Sequence, residues 1–329
     1  MLKYSIFFLF FLSAQLYHSQ LIQPFNARYS TSQKGGIRIL SNVSVSCNSG
    51  GTCTSGTAEI PPNGGSSNGG FTMNYVDIDG NSATFMSSSD SLNLANCSEV
   101  LWAGLYWSGR GTSSISNWNI RNQVRVKIGN GTYQSLSADE LVDAQSLGSH
   151  PSYHCFKDIT SLVQSAGITA RFTVANVVTQ TGGSNFWGGW SIIVVYKNVF
   201  QSMRNLTVFD GFGNIGIGTS LDIPISGFAT PPSGPVGFEL GVIGFEGDRG
   251  STGDQLQFNG AGTFVNVSDA LHPTNDFFNS TISYGAALTP FRIPNLNNSL
   301  GYDASIFLPN NSAFNYIGNN ATNATIRVT

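Results

Sequence analysis

The sequence predicts an all-β fold of two tandem β-sandwich, jelly-roll-like domains, with one short helix in the first. Three observations lead there. Charged residues are only 10% of the 329 residues, against about a quarter in an ordinary globular chain. With 38 glycines, 12 prolines and 12% aromatics, the composition favours short strands joined by tight turns over helical bundles or coiled coils. Apolar residues alternate with polar ones over short stretches separated by turn formers, the period-two signature of half-buried strands. The 15 Lys+Arg against 18 Asp+Glu exclude a nucleic-acid surface, which needs clustered basic residues to displace counterions. So few charges on a polar chain predict a surface of hydroxyls and amides.

Residues 1–20 carry Lys3, the apolar run 6–12 and then small and polar residues, the three regions of a secretory signal peptide. That run is too short to cross about 30 Å of hydrocarbon, and no later stretch approaches eighteen apolar residues. The mature chain is therefore expected outside the cytoplasm, extracellular or at the outer cell surface, with no transmembrane segment. Alternation predicts strands over 35–45 and 71–78, then stronger ones over 100–107, 124–128, 171–178, 190–196 and 206–209. The single helical stretch is 157–167, where Ile159, Leu162 and Val163 recur at helical spacing. Asp158 or Thr160 caps its start and Gly167 its end. A short helix running into an extended strand resembles the jelly rolls of carbohydrate-binding and galactose-binding-like domains.

The second half restates the first. Ala103-Gly-Leu-Tyr-Trp-Ser-Gly matches Gly241-Val-Ile-Gly-Phe-Glu-Gly, Gly189-Trp-Ser-Ile-Ile matches Gly301-Tyr-Asp-Ala-Ser-Ile, and Ser91-Leu-Asn-Leu matches Ser220-Leu-Asp-Ile. Order is kept, and the spacing suits tandem domains better than a solenoid. The expected division is 21–200 for the first domain and 201–329 for the second. The last stretch, Ala324-Thr-Ile-Arg-Val-Thr, reads as a strand with nothing after it, as in a domain truncated at its C-terminus. In an exported chain the four cysteines are expected to pair, Cys47 with Cys53 around a Gly-Gly-Thr turn and Cys97 with Cys155 at two strand edges. A zinc site is the rival reading, but no Cys-x-x-Cys is present.

Several motifs together carry a family resemblance: Tyr75-Val-Asp-Ile-Asp-Gly, Ala103-Gly-Leu-Tyr-Trp, Asp158-Ile-Thr-Ser-Leu-Val, Gly189-Trp-Ser-Ile-Ile-Val-Val-Tyr, Phe209-Asp-Gly-Phe, Phe245-Glu-Gly-Asp, Gly253-Asp-Gln-Leu and Leu300-Gly-Tyr-Asp-Ala. The chain resembles the N-terminal region of large cell-surface proteins of Bacteroidetes, flavobacteria especially. Such proteins are adhesin-like, continue into immunoglobulin-like repeats, and end in a gliding-motility-associated sorting domain read by type IX secretion. The resemblance implies surface display and a partnership with that secretion machinery. Neither the repeats nor the sorting domain lies within this sequence. It implies no catalytic residues.

Chemistry has few places to sit. His150, His154 and His272 are the histidines after residue 20; Pro151 breaks the helical spacing of the first two, and both read as loop residues beside Cys155. No Gly-x-Ser-x-Gly marks a serine hydrolase. Glu239 and Glu246 invite a glycosidase pair, but on a regular strand over 236–245 they diverge. Asp77, Asp79 and Asn81, around Gly80, resemble the first half of a calcium loop, though Asp-Gly is also an ordinary turn. Asp248, Asp254 and Asp303 form a second polar set that reads as turn caps. Trp102 and Trp190 are expected in the core. Trp118 and Trp187, in Ser/Asn/Gly-rich loops, are expected to be exposed and to stack on a ligand. The function these features predict is a non-catalytic surface or secreted adhesion module whose partner is an extracellular glycan or surface polymer. A calcium-dependent carbohydrate-binding module is the alternative, and a glycan-processing enzyme the third reading.

Overall fold

The computed structural model describes residues 20–47, 67–145 and 151–329. The chain is all-β and folds into two sandwich-like bodies. The first contains β1 (Gln20–Val43), β2 (Val45–Ser46), β3 (Asn74–Tyr75), β4 (Ser87–Asn93), β5 (Ser98–Arg110), β6 (Gln123–Ile128), β7 (Gln134–Ser137), β8 (Glu140–Ala144), β9 (Ser152–Asp158), the helix α1 (Thr160–Ala166), β10 (Thr169–Ala175), β11 (Gly188–Asn198) and β12 (Met203–Asn214). The second contains β13 (Leu221–Ser226), β14 (Leu240–Phe245), β15 (Leu256–Asn259), β16 (Val265–Asn266), β17 (Ile282–Tyr284), β18 (Ala287–Leu288), β19 (Tyr302–Phe307) and β20 (Asn323–Val328). The expected helix is present: Asp158 Oδ1 accepts the Thr160 N–H at 2.9 Å, and Gly167, at φ +84°, ends it.

The first body is organised around β5 and β11, neighbours in a six-stranded sheet of order β12-β1-β11-β5-β9-β8. Alternation sends Ala103, Leu105 and Trp107 of β5, with Trp190, Ile192 and Val194 of β11, into a large core. The sheet β4-β10-β6-β7 covers that core from the other side. The opposite faces are also buried: Trp102, Tyr106, Ile193 and Val195 pack with Leu206, Val208 and Tyr29. The cover on this side is a ribbon. Residues 35–43 of β1 pair with β11, whereas 20–34 pair only with β12, and this half arches over the sheet, stacking Tyr29 on Trp102 at 5.6 Å. The expected boundary at residue 200 therefore shifts: β12, which follows it, lies beside β1, and the first body runs on to Asn214.

The internal repeat is visible in the strand ladders. Trp107 lies opposite Trp190 across β5 and β11; Phe245 lies opposite Tyr302 across β14 and β19. The covering sheets also correspond, β4-β10-β6-β7 and β13-β20-β15-β16. The two bodies meet through the repeat itself. A Cβ on Gly189 would lie 2.7 Å from the Tyr302 ring and 2.7 Å from the Asn42 carbonyl, and one on Gly301 would lie 2.9 Å from the Trp187 side chain. Matching glycines thus seat the aromatic of the other body.

The Cys97–Cys155 pairing is corrected: both are free thiols, Cys97 exposed and Cys155 buried. Cys97 precedes β5, whereas Cys155 of β9 sits opposite Trp107, so ten residues of strand, roughly 30 Å, separate them. Cys53 lies outside the described residues, and with it the Cys47–Cys53 expectation. His154, expected in a loop, is in β9. No helix of the described residues is long and apolar enough to cross a membrane.

Gly189→Ala is expected to lower stability by roughly 2 kcal/mol, because the new methyl overpacks against backbone and ring together. Urea unfolding of the purified protein measures this, and an unchanged midpoint would show that the interface yields.

Candidate functional site

Asp77 and Asp79 do come together, but around protein donors. Ser87 Oγ lies 2.7 Å from Asp77 Oδ1 and 3.2 Å from Asp79 Oδ1. Asp79 Oδ2 accepts from Lys127 Nζ and from the Tyr133 hydroxyl, each at 2.7 Å. Burial works against the Asp79 carboxylate, yet the bonds from Lys127, Tyr133 and the Asn81 N–H outweigh it and lower its pKa to about 2. The Asn81 side chain is turned elsewhere, accepting the Ala83 N–H at 3.0 Å.

The exposed-tryptophan expectation is overturned. Trp118 is 6% and Trp187 3% exposed. Trp118 begins a 3-10 turn, meets Tyr153 edge-on at 5.4 Å, and carries the Arg121 guanidinium 4.8 Å above its ring. Trp187 stacks flat on Phe245 of the second body, 4.7 Å between centroids. Loop composition misled because a polar loop can fold back and lay its one large apolar ring on a neighbouring core. Glu239 and Glu246 flank opposite ends of β14 and bind different arginines, Arg204 at 3.3 Å and Arg110 at 2.8 Å. Seven residues of strand put them about 23 Å apart, beyond any glycosidase carboxylate separation.

Two histidine arrangements were not visible in the sequence. His154 lies between Tyr106 and Phe212, stacked at 5.6 and 5.5 Å, with Nδ1 2.7 Å from Ser108 Oγ. Burial lowers its pKa to about 4, so the ring is neutral at pH 7. His272 has Nδ1 2.8 Å from Asp269 Oδ1 and Nε2 3.2 Å from Ser305 Oγ, the atomic order of an acyl-transfer triad. Ser305 lies within β19 and is buried, and the adjoining cavity of about 10 Å³, bounded by Val242, His272 and Phe278, has room for one water and no substrate. This relay ties 269–272 to β19.

An accessible cleft of about 240 Å³ lies instead where the β1–β12 ribbon crosses β8, lined by Gln23, Pro24, Asn26, Arg28, Glu140 and Asp210. Irregularities in β1 between Leu21 and Tyr29 re-aim its side chains here. Arg28 bridges both carboxylates, with two bonds of 2.7 Å to Glu140 and one of 2.7 Å from Nε to Asp210. The Tyr106 hydroxyl donates to the same Asp210 oxygen at 3.1 Å, and Phe156 lies 4.4 Å beneath the guanidinium. The bonds from Arg28 hold the Glu140 carboxyl below its ordinary range. The clasp therefore pins the ribbon over the sheet and presents rigid amide, carboxylate and guanidinium groups to solvent. Sequence reading missed it because Arg28, Glu140 and Asp210 are over a hundred, and then seventy, residues apart.

No family model, curated protein or solved structure matches the chain.

Asp79→Asn is expected to cost roughly 1–2 kcal/mol near neutral pH, since it removes one partner of a partly buried ion pair. The folded-state pKa is depressed, so the wild-type advantage is full above the unfolded value of 3.8 and fades as pH falls through about 2. Chemical denaturation of both proteins between pH 5 and pH 3 reads the difference. An advantage that grows on acidification would contradict the ion pair.

Proposed function

We propose that the chain is a non-catalytic extracellular or cell-surface module, the N-terminal part of an adhesin-like protein, which holds a glycan or surface polymer in the ribbon cleft. One observation carries this reading: the cleft combines a volume of about 240 Å³ with planar polar side chains fixed by mutual bonds. Such groups recognise hydroxyl-rich ligands through paired hydrogen bonds at little entropic cost, because they are already ordered. The signal-like first twenty residues and the family resemblance support an extracellular setting.

The specific observation favouring an enzyme is the placement of Glu140 and Asp210 at one cleft. Both, however, are tied to Arg28, whose bonds hold the Glu140 carboxyl in its charged form and occupy Asp210. The same side chains suit binding better.

Glycan-array screening followed by calorimetry tests the reading. Gln23→Ala and Asn26→Ala should weaken the best glycan at least about tenfold while leaving the melting temperature within a degree or two, since neither residue is in a core. Hydrogen-bonded recognition of a neutral sugar should change less than about twofold between low and moderate salt. Turnover of any polysaccharide that Glu140→Gln abolishes would replace the binding function with an enzymatic one. Affinity unaffected by both alanine variants would remove the cleft from it.

A further inference from the structure

The polar atoms of the ribbon cleft are unevenly engaged. Each donor nitrogen among its lining side chains already gives a proton to a protein oxygen. Arg28 donates from Nε to Asp210 and from Nη1 and Nη2 to Glu140, every bond being 2.7 Å. Gln23 Nε2 donates to Glu140 at 3.4 Å, and Asn26 Nδ2 to the Pro24 carbonyl at 3.2 Å. The acceptors show the reverse. Both bonds to the Asp210 side chain, from Arg28 and from the Tyr106 hydroxyl, end on Oδ2. Asp210 Oδ1, Gln23 Oε1 and Asn26 Oδ1 receive no hydrogen bond among the described residues.

Charge leans the same way. Arg28 answers two carboxylates, and the neighbouring Lys157 is taken by Asp139 at 2.6 Å. The clasp and its flank therefore hold two cations against three carboxylates. Phe156 covers one face of the guanidinium, which further withdraws that cation from a ligand. The open acceptors are also gathered. Asn26 is the register partner of Asp210 across β1 and β12, a position that brings Cβ atoms within about 5 Å of each other, and Gln23 lines the same cleft.

We infer that the cleft selects an amino sugar, a glycan unit whose free ammonium is received by Asp210, Gln23 and Asn26, and that it rejects sugars bearing a carboxylate or sulfate. The inference rests on the reading of the cleft as a glycan site and names the class of unit it takes. An ammonium carries three donors and no acceptor, the complement of a lining whose free atoms are oxygens. A uronate or sulfated sugar brings only acceptors at that point and a further negative charge, and meets a guanidinium already bound on all three nitrogens. N-acetylation replaces the ammonium with a neutral amide that has one donor, so it removes both the charge and most of the bonds. The unit is a single ring. About 240 Å³ is less than the roughly 300–1,000 Å³ of sites that enclose a drug-sized ligand, so the remainder of a polymer runs on in solvent.

The experiment is calorimetric titration with three probes: an oligomer of glucosamine, its fully N-acetylated form, and an oligomer of galacturonic acid. At about pH 6 an amine that titrates near pH 8, as an α-amino group does, is protonated. The glucosamine oligomer should bind at least about tenfold tighter than the N-acetylated one, since charge-assisted hydrogen bonds are roughly twice as strong as neutral ones. The galacturonate should give no saturable heat. Raising salt from about 50 to about 300 mM should weaken the glucosamine oligomer by at least about threefold, unlike a neutral sugar. Asn26→Asp should tighten that binding and Asn26→Lys abolish it. Neither change touches the Arg28 clasp, so both melting temperatures should stay within a few degrees of wild type. Equal affinity for the glucosamine and N-acetylated oligomers, or a preference for galacturonate, overturns the inference and leaves a glycan site standing. A glucosamine preference that Asn26→Lys does not alter overturns its location. No binding of these probes or of any arrayed glycan overturns the inference and the glycan reading together.

Discussion

The burial of β5 and β11 on both faces is the constraint from which the rest of the architecture follows. A strand covered on one side needs one partner layer; these two need two, because Trp107 and Trp190 project one way and Trp102 and Val195 the other. The four-stranded sheet supplies the first cover. The second cannot be a conventional sheet, since the chain has already committed β1 to the edge of β11, so the N-terminal half of β1 leaves that edge and returns with β12 across the outer face. A ribbon joined at one end would lift off without a tether. The Arg28 clasp to Glu140 and Asp210 is that tether, and the polar cleft at the clasp is a by-product of tying it there.

The junction between the bodies joins an apolar cluster, in which Ile39 and Val43 meet Leu296, Tyr302 and Ala304, to a set of buried polar contacts. Ser191 Oγ lies 3.0 Å from both Ser41 Oγ and the Tyr302 hydroxyl. The Asn42 amide donates to the Ser89 and Pro294 carbonyls at 2.9 and 3.1 Å, and Ile293 pairs with Ser89 like one rung of a sheet. These hydroxyl and amide groups satisfy one another, which fixes a single arrangement more sharply than interchangeable hydrocarbon contacts would. The serine-rich composition takes a different meaning in this light: hydroxyls expected on the surface are inside, at Ser41, Ser44 and Ser87 to Ser89.

Legibility in the sequence followed the type of side chain doing the burying. β5, β6, β10, β11 and α1 were readable because apolar residues fall at strand or helix period. β4, Ser-Ser-Ser-Asp-Ser-Leu-Asn, was not, because its buried contacts are hydroxyls: Ser88 Oγ donates to the Val43 carbonyl and receives the Trp190 indole N–H. The N-terminal half of β1 was missed for a similar reason, since its aromatic and charged residues follow the shape of the ribbon and not an alternating face. The repeat was readable as Trp107 and Trp190 against Phe245 and Tyr302.

The two bodies have kept the central ladder and diverged in what lies beside it. In the chain, β10 precedes β11 while β20 follows β19, and β17 joins β19 in parallel where the first body uses antiparallel neighbours. β19 nevertheless plays the part of β11, buried on both faces. Alternation turns Tyr302 and Ala304 toward the first body and leaves Asp303 and Ser305 facing the interior of the second. One strand therefore carries the junction on one side and the buried Asp303 and Ser305 on the other. The same strand gives Asp303 its place: burial pushes its carboxyl well above the ordinary range, so the group keeps its proton where no cation among the described residues pairs with it.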